Sequence, residues 1–350
     1  YMVIKMSIYQ KNPKWKGHLK KYMSMDSFPK IQGYDFDGKF DFKKFIEGYS
    51  NMGFQGSNLG RAFDILAKMI EEKKNGKLSI WMSFTGNMIS SGNREIIRYL
   101  VKNKIVDGIT TTAAALEEDI IKCIKPFHLG NFDIKGEFLL DESIGRIGNI
   151  LAPMDRYLYF ERFFNDFFKK LMKEFKGIPC TYEVAREMGK CIKTNSLTKK
   201  NYDKSFLYWA WKNKIPVFCP GITDGAMGDL TTFFKRRNPK FAIDVTKDNF
   251  ELTKILQNTS KAGCIVLGGG ISKHFLLNSA IFREGFEYSI YITTANEYDG
   301  SDSGGNQEEA ISWAKIKPNA QRVKVVADAT LIFPLLIAGS INRKIKLSRT

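Results

Sequence analysis

One stretch decides the fold: LSIWMSFTGNMISSGNREIIRYLVKNKIVDGITTTAAALEED, residues 78–119. It opens with an apolar run, Leu78 to Phe84, which is typical of a buried strand and leads through a Gly-Asn turn into a helix. That helix, from about Gly92 to Asn103, places its apolar residues on one stripe at helical spacing. A second strand follows at Val106 to Thr112. A strand, a helix and a strand in this order predict a parallel pair joined by a crossover helix.

The next helix begins directly after the second strand. Its first residues are Ala113-Ala114-Ala115-Leu116, and the acids Glu117, Glu118 and Asp119 follow them. We expect the three acids to lie in the first helical turn, because negative charge there is favourable against the helix dipole.

The rest of the chain repeats this alternation of strands and amphipathic helices. Helices are predicted at Ser205 to Lys214 and at Asn249 to Lys261, and an apolar helix begins at Leu331. Further strands are predicted at Ile215 to Cys219, Phe241 to Val245, Cys264 to Leu267, Tyr288 to Thr294 and Val323 to Ala327. We therefore predict an α/β fold with a doubly wound, mostly parallel, Rossmann-like sheet and helices on both faces.

We expect one large α/β domain, residues 31–342, between a basic N-terminal extension, residues 1–30, and a basic C-terminal tail, residues 343–350. Within the domain, residues 157–203 are predicted to form a helical cap or insertion. The first part of this segment repeats phenylalanines at helical spacing, and core packing is the expected use of that aromatic stripe.

Composition excludes several classes of protein. The 350 residues are 43% hydrophobic, which is enough to bury a large core, so a disordered chain is excluded. The most apolar run, Leu331 to Ile341, is interrupted by Pro334 and Gly339, so we expect no membrane span. Scattered cysteines without a C-x-x-C pair, and no signal-peptide pattern, predict a reducing, cytoplasmic setting. Three histidines without ligand spacing predict no metal site.

The chain carries 54 basic against 37 acidic side chains, a formal net charge of +17. A charge of this size attracts acidic partners, so nucleic-acid binding without catalysis is one hypothesis. The excess lies mainly in lysine-rich ends and in residues 169–200, and no zinc-finger, RRM or KH signature accompanies it. Solvated surface lysines are therefore the preferred interpretation.

The candidate binding residues follow the strands, because ligands of an open parallel sheet bind beyond its carboxyl edge. Gly268-Gly269-Gly270, between a strand and a helix, would let backbone N–H groups approach a phosphate, as dinucleotide sites need. The run lacks G-x-G-x-x-G spacing, so a tight turn without a ligand is equally compatible with it. Asp224 and Asp328 at strand ends could accept ribose hydroxyls or could be N-caps.

A second group of candidate residues is acidic. Glu118, Asp229, Asp302 and Glu309 are expected at the same edge of the sheet in a strongly positive chain. Together with the indole of Trp313, carboxylates without metal ligands suit a polyamine, because cations bind both carboxylates and aromatic faces. For any one of these acids taken alone, a helix cap or an ion pair with a surface lysine is the preferred interpretation.

Lys315 is the candidate nucleophile. As a helix, Glu308 to Lys315 would put Glu309 and Trp313 four residues apart on one face, with Lys315 just beyond them. An amine attacks an imine or carbonyl carbon only when it is uncharged, so this hypothesis requires Lys315 to be buried against Trp313.

The sequence resembles the deoxyhypusine synthase family most closely in three strings, LGGGISKH (267–274), EYDGSDSG (297–304) and EAISWAK (309–315). The resemblance covers roughly residues 31–341, and only the ends and residues 177–203 look unfamiliar. Shorter matches are GFQ (53–55), NLGRA (58–62), NMISSG (87–92), REIIRYL (94–100), EED (117–119), RIGN (146–149) and TDG (223–225).

This resemblance implies an enzyme that uses NAD to transfer the 4-aminobutyl group of spermidine to one lysine of translation initiation factor 5A, forming deoxyhypusine. The group would travel as an imine on Lys315, and His274 would take the proton from the amine. The resemblance also implies a homotetramer with sites between subunits, without a metal. One departure is Ala114-Ala115, where the family usually has glycines.

Carried over residue by residue, the resemblance implies two sets of binding residues beside the catalytic Lys315 and His274. The NAD set is Asn87, Met88, Ile89, Ser90, Thr112, Ala113, Ala114, Asp224, Gly268, Gly269, Thr294, Ala295, Asp328 and Ala329. The spermidine set is Glu117, Glu118, Asp229, His274, Gly300, Ser301, Asp302, Glu309 and Trp313.

Two other hypotheses stay open. Homospermidine synthase resembles this family, uses the same lysine and passes the aminobutyl group to putrescine, and the sequence separates the two activities poorly. A basic periphery favours a folded acceptor with an acidic face over a small amine. The hypothesis from another class is the non-catalytic nucleic-acid-binding protein.

Overall fold

The computed structural model describes residues 28–341. Most of the predicted basic extension, and the whole predicted tail at 343–350, lie outside the described residues. The chain divides between Gly60 and Arg61 into two compact units. Each unit is described by itself.

The first unit is built on helix α1, Phe42–Gly48, and a 3-10 turn, Tyr49–Asn51, and helix α2, Phe54–Lys74, begins in it. Aromatic rings pack together beside α1, with the ring of Tyr34 at the centre of the cluster. Its centroid lies 4.9 to 5.8 Å from those of Phe36, Phe40 and Phe45.

The second unit contains the end of α2 and then alternates strands and helices. Its elements after α2 are, in chain order, β1 Ser79–Phe84, α3 Asn87–Ser90, α4 Arg94–Lys102, β2 Gly108–Thr110, α5 Ala113–Ile124, β3 His128–Leu129, α6 Gly136–Asp141, β4 Ile144–Ile147, β5 Ile150–Pro153, α7 Asp155–Glu174, α8 Thr181–Ile192, α9 Phe206–Asn213, β6 Val217–Phe218, α10 Ala226–Arg237, α11 Val245–Gln257, β7 Ala262–Leu267, α12 Gly270–Ala280, β8 Phe286–Thr293, α13 Gln307–Ser312, β9 Ile316–Val326 and α14 Ala329–Ser340.

Six of these strands form one parallel sheet in the order β6-β2-β1-β7-β8-β9. The chain runs outward from β1 to β2 and β6, returns to β7 beside β1, and then runs outward the other way to β8 and β9. Because parallel crossovers are right-handed, this reversal puts helices on both faces of the sheet. The predicted doubly wound α/β fold is confirmed.

The core lies on both faces of the sheet. Every residue of β7 is buried, as expected for a central parallel strand covered by helices on each side. The aromatic stripe of α7 is also core, as predicted, and its buried phenylalanines are Phe160, Phe163, Phe164, Phe167 and Phe168.

The strand predicted at Phe241 to Val245 is wrong. Helix α11 begins at Val245, and Asp244 caps it by accepting hydrogen bonds from the amides of residues 246 and 247 at 3.0 and 3.1 Å. The ring of Phe241 packs against Phe168 and Phe234, with centroids 4.6 and 5.1 Å apart. The apolar signal therefore came from a turn that fills the core beside α7, not from a strand of the sheet.

A small antiparallel sheet, in the order β3-β5-β4, was not predicted from the sequence. Its strands have only two, four and four residues. Runs this short carry too few alternating positions to be recognised as strands.

The three acids of α5 lie one turn later than expected. The first turn of α5 contains no acid, and Glu117, Glu118 and Asp119 are almost fully buried. Asp119 accepts from Nε of Arg94 at 2.8 Å and from Oγ of Ser205 at 2.5 Å. One buried carboxylate thus joins α4, α5 and the start of α9, and the helix dipole is not the reason for its position.

Other expectations concern the cap, membrane and cysteines. Residues 157–203 are largely helical, in α7 and α8, but whether they form a cap or an insertion stays a prediction. In the part of the chain that the structure describes, no helix is both long and apolar enough to cross a bilayer. The five cysteines all have free thiols.

We expect Asp119→Ala to destabilise the fold by about 3–5 kcal/mol, because it leaves the guanidinium of Arg94 buried without its carboxylate partner. Urea unfolding of the purified protein measures this loss. The matched control is Glu95→Ala, which removes an exposed carboxylate 3.9 Å from the same guanidinium and should change stability by less than about 1 kcal/mol. Equal losses of stability in the two variants would contradict the role of Asp119 as the partner that stabilises the buried Arg94.

Candidate functional site

The reversal of chain direction falls between β1 and β7, which are neighbours in the sheet. Ligands of doubly wound sheets bind in the crevice beyond the carboxyl ends of the strands at such a switch point. Gly86 and Asn87 follow β1, and Gly268 and Gly269 follow β7. Two of the segments that sequence reasoning selected for the cofactor therefore flank this crevice.

The glycine turn after β7 has a backbone shape suited to holding a phosphate. Gly268 and Gly270 have φ angles of +84° and +68°, and a Cβ built at either position would meet nothing within 4 Å. At Gly269, by contrast, a Cβ would lie 2.3 Å from Oγ of Ser303. Both features require glycine. The turn is thus open to a ligand at two residues and is covered by the loop of residues 294–306 at the third.

The α3 turn carries four of the predicted cofactor residues. Asn87 is exposed, whereas Met88, Ile89 and Ser90 are buried. Of these four side chains, only that of Asn87 is placed to meet a ligand directly. The other three hold the turn in place.

The start of α5 packs against the turn after β1. Oγ1 of Thr112 accepts from the amide of Gly86 at 3.0 Å, and Ala113 is buried. A Cβ at Gly86 would lie 2.4 Å from Cβ of Ala114, so the alanine that departs from the family pattern fills space beside this glycine. The predicted cofactor residues after β1 and β2 therefore form one continuous surface.

The remaining predicted cofactor residues follow three other strands at the same edge. They are Thr294 and Ala295 after β8, Asp328 and Ala329 after β9, and Asp224 after β6. Asp328 accepts hydrogen bonds from the amides of Thr330 and Leu331 at 2.8 and 3.3 Å and is therefore the N-cap of α14, which is one of the two roles that the sequence left open.

Glu117 holds the start of α10. Its carboxylate accepts from the amides of Ala226 and Met227 at 3.3 and 2.8 Å, and a Cβ at Gly225 would lie 2.8 Å from its Oε1. Burial raises the pKa of Glu117 to about 7, although the two amides oppose the rise. This predicted substrate residue is therefore used in positioning α10, the helix that carries Asp229.

Glu118 is bound to the α3 turn, because Oγ of Ser90 donates a hydrogen bond to its carboxylate. Burial raises the pKa of Glu118 to about 7, the Ser90 bond opposes the rise and the charge of Glu117 adds to it. Tyr157 of α7 lies near both glutamates. Burial, followed by these two carboxylates, raises the pKa of Tyr157 to about 12.

A buried lysine lies between two other predicted substrate acids. Nζ of Lys273, which is 4% exposed, donates to the backbone carbonyl of Asp302 and lies 3.8 Å from its carboxylate. A Cβ at Gly305 would lie 3.0 Å from Oε2 of Glu309 and 3.6 Å from Nζ of Lys273. Burial lowers the pKa of Lys273, while Asp302 and then Glu309 oppose the fall. These groups form one compact charged cluster.

Sequence reasoning missed Lys273, although the helical pattern contained a signal for it. Lys273, Leu276, Leu277 and Ala280 fall at positions i, i+3, i+4 and i+7 of α12, and all four are buried. A lysine on the apolar stripe of a helix requires a partner for its charge. The acids that follow β8 in the sequence, Asp302 and Glu309, supply that partner.

Four further predicted substrate residues are exposed. His274 lies on α12, Asp229 on the first turn of α10, and Gly300 and Ser301 in the loop after β8. Asp299 shapes this loop by accepting from the amide and hydroxyl of Ser301 at 2.8 and 2.6 Å. These positions are open to a ligand.

The four acids that were expected to converge fall into two groups within one chain. Glu118 and Asp229 follow β2 and β6, where Glu117 lies between them and feels the charge of Asp229. Asp302 and Glu309 lie around Lys273, between β8 and β9. The chain therefore builds two acidic clusters instead of one slot.

The helix predicted through Lys315 ends early. α13 stops at Ser312, Trp313 follows it with 63% of its surface exposed, and Ala314 has a φ angle of +56°. Nζ of Lys315 lies 6.0 Å from the centroid of the Trp313 ring, at the outer limit of a cation–π contact. Within the chain, Lys315 is half-buried, so the expected burial against Trp313 is wrong.

Lys315 also lies at the opposite edge of the sheet from the predicted cofactor residues. Its carbonyl accepts from the amide of Phe286, the first residue of β8, at 3.1 Å. Thr293, at the carboxyl end of β8, is seven residues further along, roughly 23 Å at about 3.3 Å per residue. One lysine side chain cannot cross this distance, so a single chain does not bring Lys315 to the carboxyl edge.

Among residues 28–341, no group of three or more His, Cys, Asp or Glu side chains is arranged to hold a metal ion.

Comparison with known proteins supports the family resemblance found in the sequence. The sequence model of the family described as deoxyhypusine synthase matches residues 44–340. The "Probable deoxyhypusine synthase" of Methanocaldococcus jannaschii is 45% identical over 295 residues, which cover 83% of this chain and 89% of that protein. The deoxyhypusine synthase of Arabidopsis thaliana is 40% identical over 338 residues, covering 90% of each chain.

A solved structure gives the same result. The crystal structure of a candidate deoxyhypusine synthase from Entamoeba histolytica superposes with a TM-score of 0.61 at 28% identity, covering 90% of this chain and 99% of that one. The resemblance found in the sequence is confirmed. The chain belongs to the deoxyhypusine synthase family of enzymes.

Proposed function

We propose that this chain transfers the 4-aminobutyl group of spermidine, with NAD as cofactor, to one lysine of translation initiation factor 5A, forming deoxyhypusine. The observation that carries the proposal is the family match over residues 44–340, which includes both edges of the sheet. A cytoplasmic location is part of the same proposal, because the acceptor is a translation factor.

The groups at the carboxyl edge support NAD as the ligand. The open space beside Gly268 and Gly270, at the start of α12, suits its phosphates, and the carboxylates of Asp224 and Asp328 suit ribose hydroxyls. Within the described residues, the hydrogen bonds that Asp328 accepts from Thr330 and Leu331 all end on Oδ1, and we propose its Oδ2 for the ribose. NAD bound here would supply the hydride acceptor for the oxidation of spermidine and the donor for the final reduction.

Exposed acids are the groups we propose for the ammonium ends of spermidine. Asp229, Asp302 and Glu309 are exposed and charged side chains, and the exposed indole of Trp313 offers a cation–π face. The buried ammonium of Lys273 keeps Asp302 and Glu309 close together without excessive repulsion.

Lys315 is the proposed carrier of the butyl group. Its uncharged amine would attack the imine carbon of oxidised spermidine, and the bond to 1,3-diaminopropane would break as that amine leaves. The acceptor lysine would then displace Lys315 by the same exchange. His274, exposed near the start of α12, is the proposed base for the proton released from the amine.

The separation of the two edges supports a site built from two chains. The amine of Lys315 lies at the amino edge of β8 and β9, whereas the NAD set follows the carboxyl ends of all six strands. In a symmetric oligomer, the amino edge of one protomer can face the carboxyl edge of another. A homotetramer with shared sites is therefore part of the proposal.

The acceptor is identified by incubating the protein with NAD, labelled spermidine and either the factor or putrescine. We expect label on the factor, because the +17 charge favours a folded acidic acceptor. Label on putrescine but never on the factor would replace our proposal with homospermidine synthesis. Transfer to neither, with tight and salt-dependent RNA binding, would favour the nucleic-acid hypothesis.

Lys315→Ala should abolish transfer while NAD and spermidine still bind, because only the covalent carrier is removed. Intact-mass measurement after NAD, spermidine and borohydride should show a butylamine adduct on the native protein and none on the variant. Lys317→Ala is the matched control, since its amine is two residues away and pairs with Glu287 at 2.8 Å. An adduct that persists in Lys315→Ala would place the carrier elsewhere.

Mixing two variants with different defects tests the shared site. Lys315→Ala removes the carrier, and Asp224→Ala is used under NAD concentrations at which it shows no transfer by itself, so random pairing of the two chains should restore about a quarter of the native sites. Transfer activity of the co-refolded mixture measures this recovery, with native protein refolded in parallel as the control. If the mixture stays as inactive as its parents while the control recovers, each site lies within one chain.

A further inference from the structure

The amine of Lys122 makes three hydrogen bonds to consecutive backbone carbonyls. Lys122 lies on α5, and its Nζ donates to the carbonyls of Ile89, Ser90 and Ser91 at 2.8, 3.2 and 3.1 Å. A lysine ammonium has three N–H donors, so these carbonyls use its full capacity. This amine is therefore committed to one short piece of backbone.

Those carbonyls belong to the end of α3, a helix of four residues. The last carbonyls of any helix have no partner within the helix and carry partial negative charge, which a lysine ammonium stabilises. A single helical turn is also unstable by itself, because nucleation costs more than one turn of hydrogen bonds returns. The backbone hydrogen bonds of the turn itself end on the carbonyls of residues 85–87, so Lys122 supplies the partner for the carbonyls at the other end of the turn.

The α3 turn is attached to α5 at a second point. Oγ of Ser90 donates to the carboxylate of Glu118, which lies four residues before Lys122 on the same face of α5. Glu118 fixes a side chain of the turn and Lys122 fixes its carbonyls. The position of Asn87, at the other end of the turn, depends on both attachments.

The neighbours of Lys122 have both signs of charge. Arg94 of α4 is the nearby cation, and Glu95, Glu118 and Asp119 are the nearby acids. Burial is the first cause that lowers the pKa of Lys122, and Arg94 is the second, while the three acids oppose the fall. The three hydrogen bonds use the charged ammonium, and the acids oppose the loss of that charge which burial and Arg94 favour.

We propose that Lys122 is a positioning residue for cofactor binding, which holds the α3 turn in the conformation that NAD requires. This inference rests on the proposed function, because it takes α3 as part of the NAD site. Lys122 itself touches neither cofactor nor substrate and acts only through the carbonyls at the end of α3.

Lys122→Met tests this inference, because methionine keeps most of the side-chain volume and removes all three donors. The dissociation constant for NAD, measured by titration calorimetry well below the melting temperature, should rise on the order of tenfold or more. Lys122→Arg, which keeps donors and charge, should recover part of the affinity. Lys125→Met is the matched control, since it removes a lysine at the residue directly after the same helix, and this lysine pairs with Asp155 at 2.7 Å instead of with α3.

Hydrogen exchange without NAD provides a readout that does not depend on the cofactor. In Lys122→Met, amides of residues 86–92 should exchange faster than in the native protein, while exchange in β7 stays unchanged. Faster exchange with unaltered NAD affinity would overturn the inference, and so would unaltered exchange. If native protein itself binds no NAD, the proposed function fails together with the cofactor role, and the exchange data still decide whether Lys122 holds α3.

Discussion

Three consecutive buried carboxylates on α5 hold together the segments around the carboxyl edge. Glu117 binds the amides that begin α10, Glu118 binds Ser90 of α3, and Asp119 binds Arg94 and the start of α9. Successive residues of a helix point about 100° apart, so adjacent acids can reach three different neighbours. Each carboxylate is buried at a cost that only these hydrogen bonds offset. The geometry of the edge depends on α5.

The two edges of the sheet differ in how complete they are within one chain. The carboxyl edge has its glycine turn, its N-caps and its α5 contacts already formed by the chain itself. The amino edge offers Lys315 and an exposed Trp313, whose indole packs only loosely against the amine.

The sequence predicted what local patterns determine and missed what long-range contacts determine. Strands β1 and β7 were predicted because parallel strands are continuous apolar runs. The signal at Phe241 failed because a core-filling turn has the same composition as a short strand. The acids of α5 were assigned to the helix dipole and to substrate, since their partners at Ser90 and Met227 are far away in sequence. Lys273 was missed for the same reason.

Burial divides the acids that were predicted to bind a polyamine into two groups. Burial raises the pKa of Glu117 and of Glu118 to about 7, and their oxygens already accept hydrogen bonds from the protein. An ammonium group gains less from a carboxylate that is buried and already bonded than from one that is exposed. Asp229, Asp302 and Glu309 are exposed and keep room for a new partner. We therefore propose the exposed acids for recognition of a cation, while the buried pair holds the segments beside them in place.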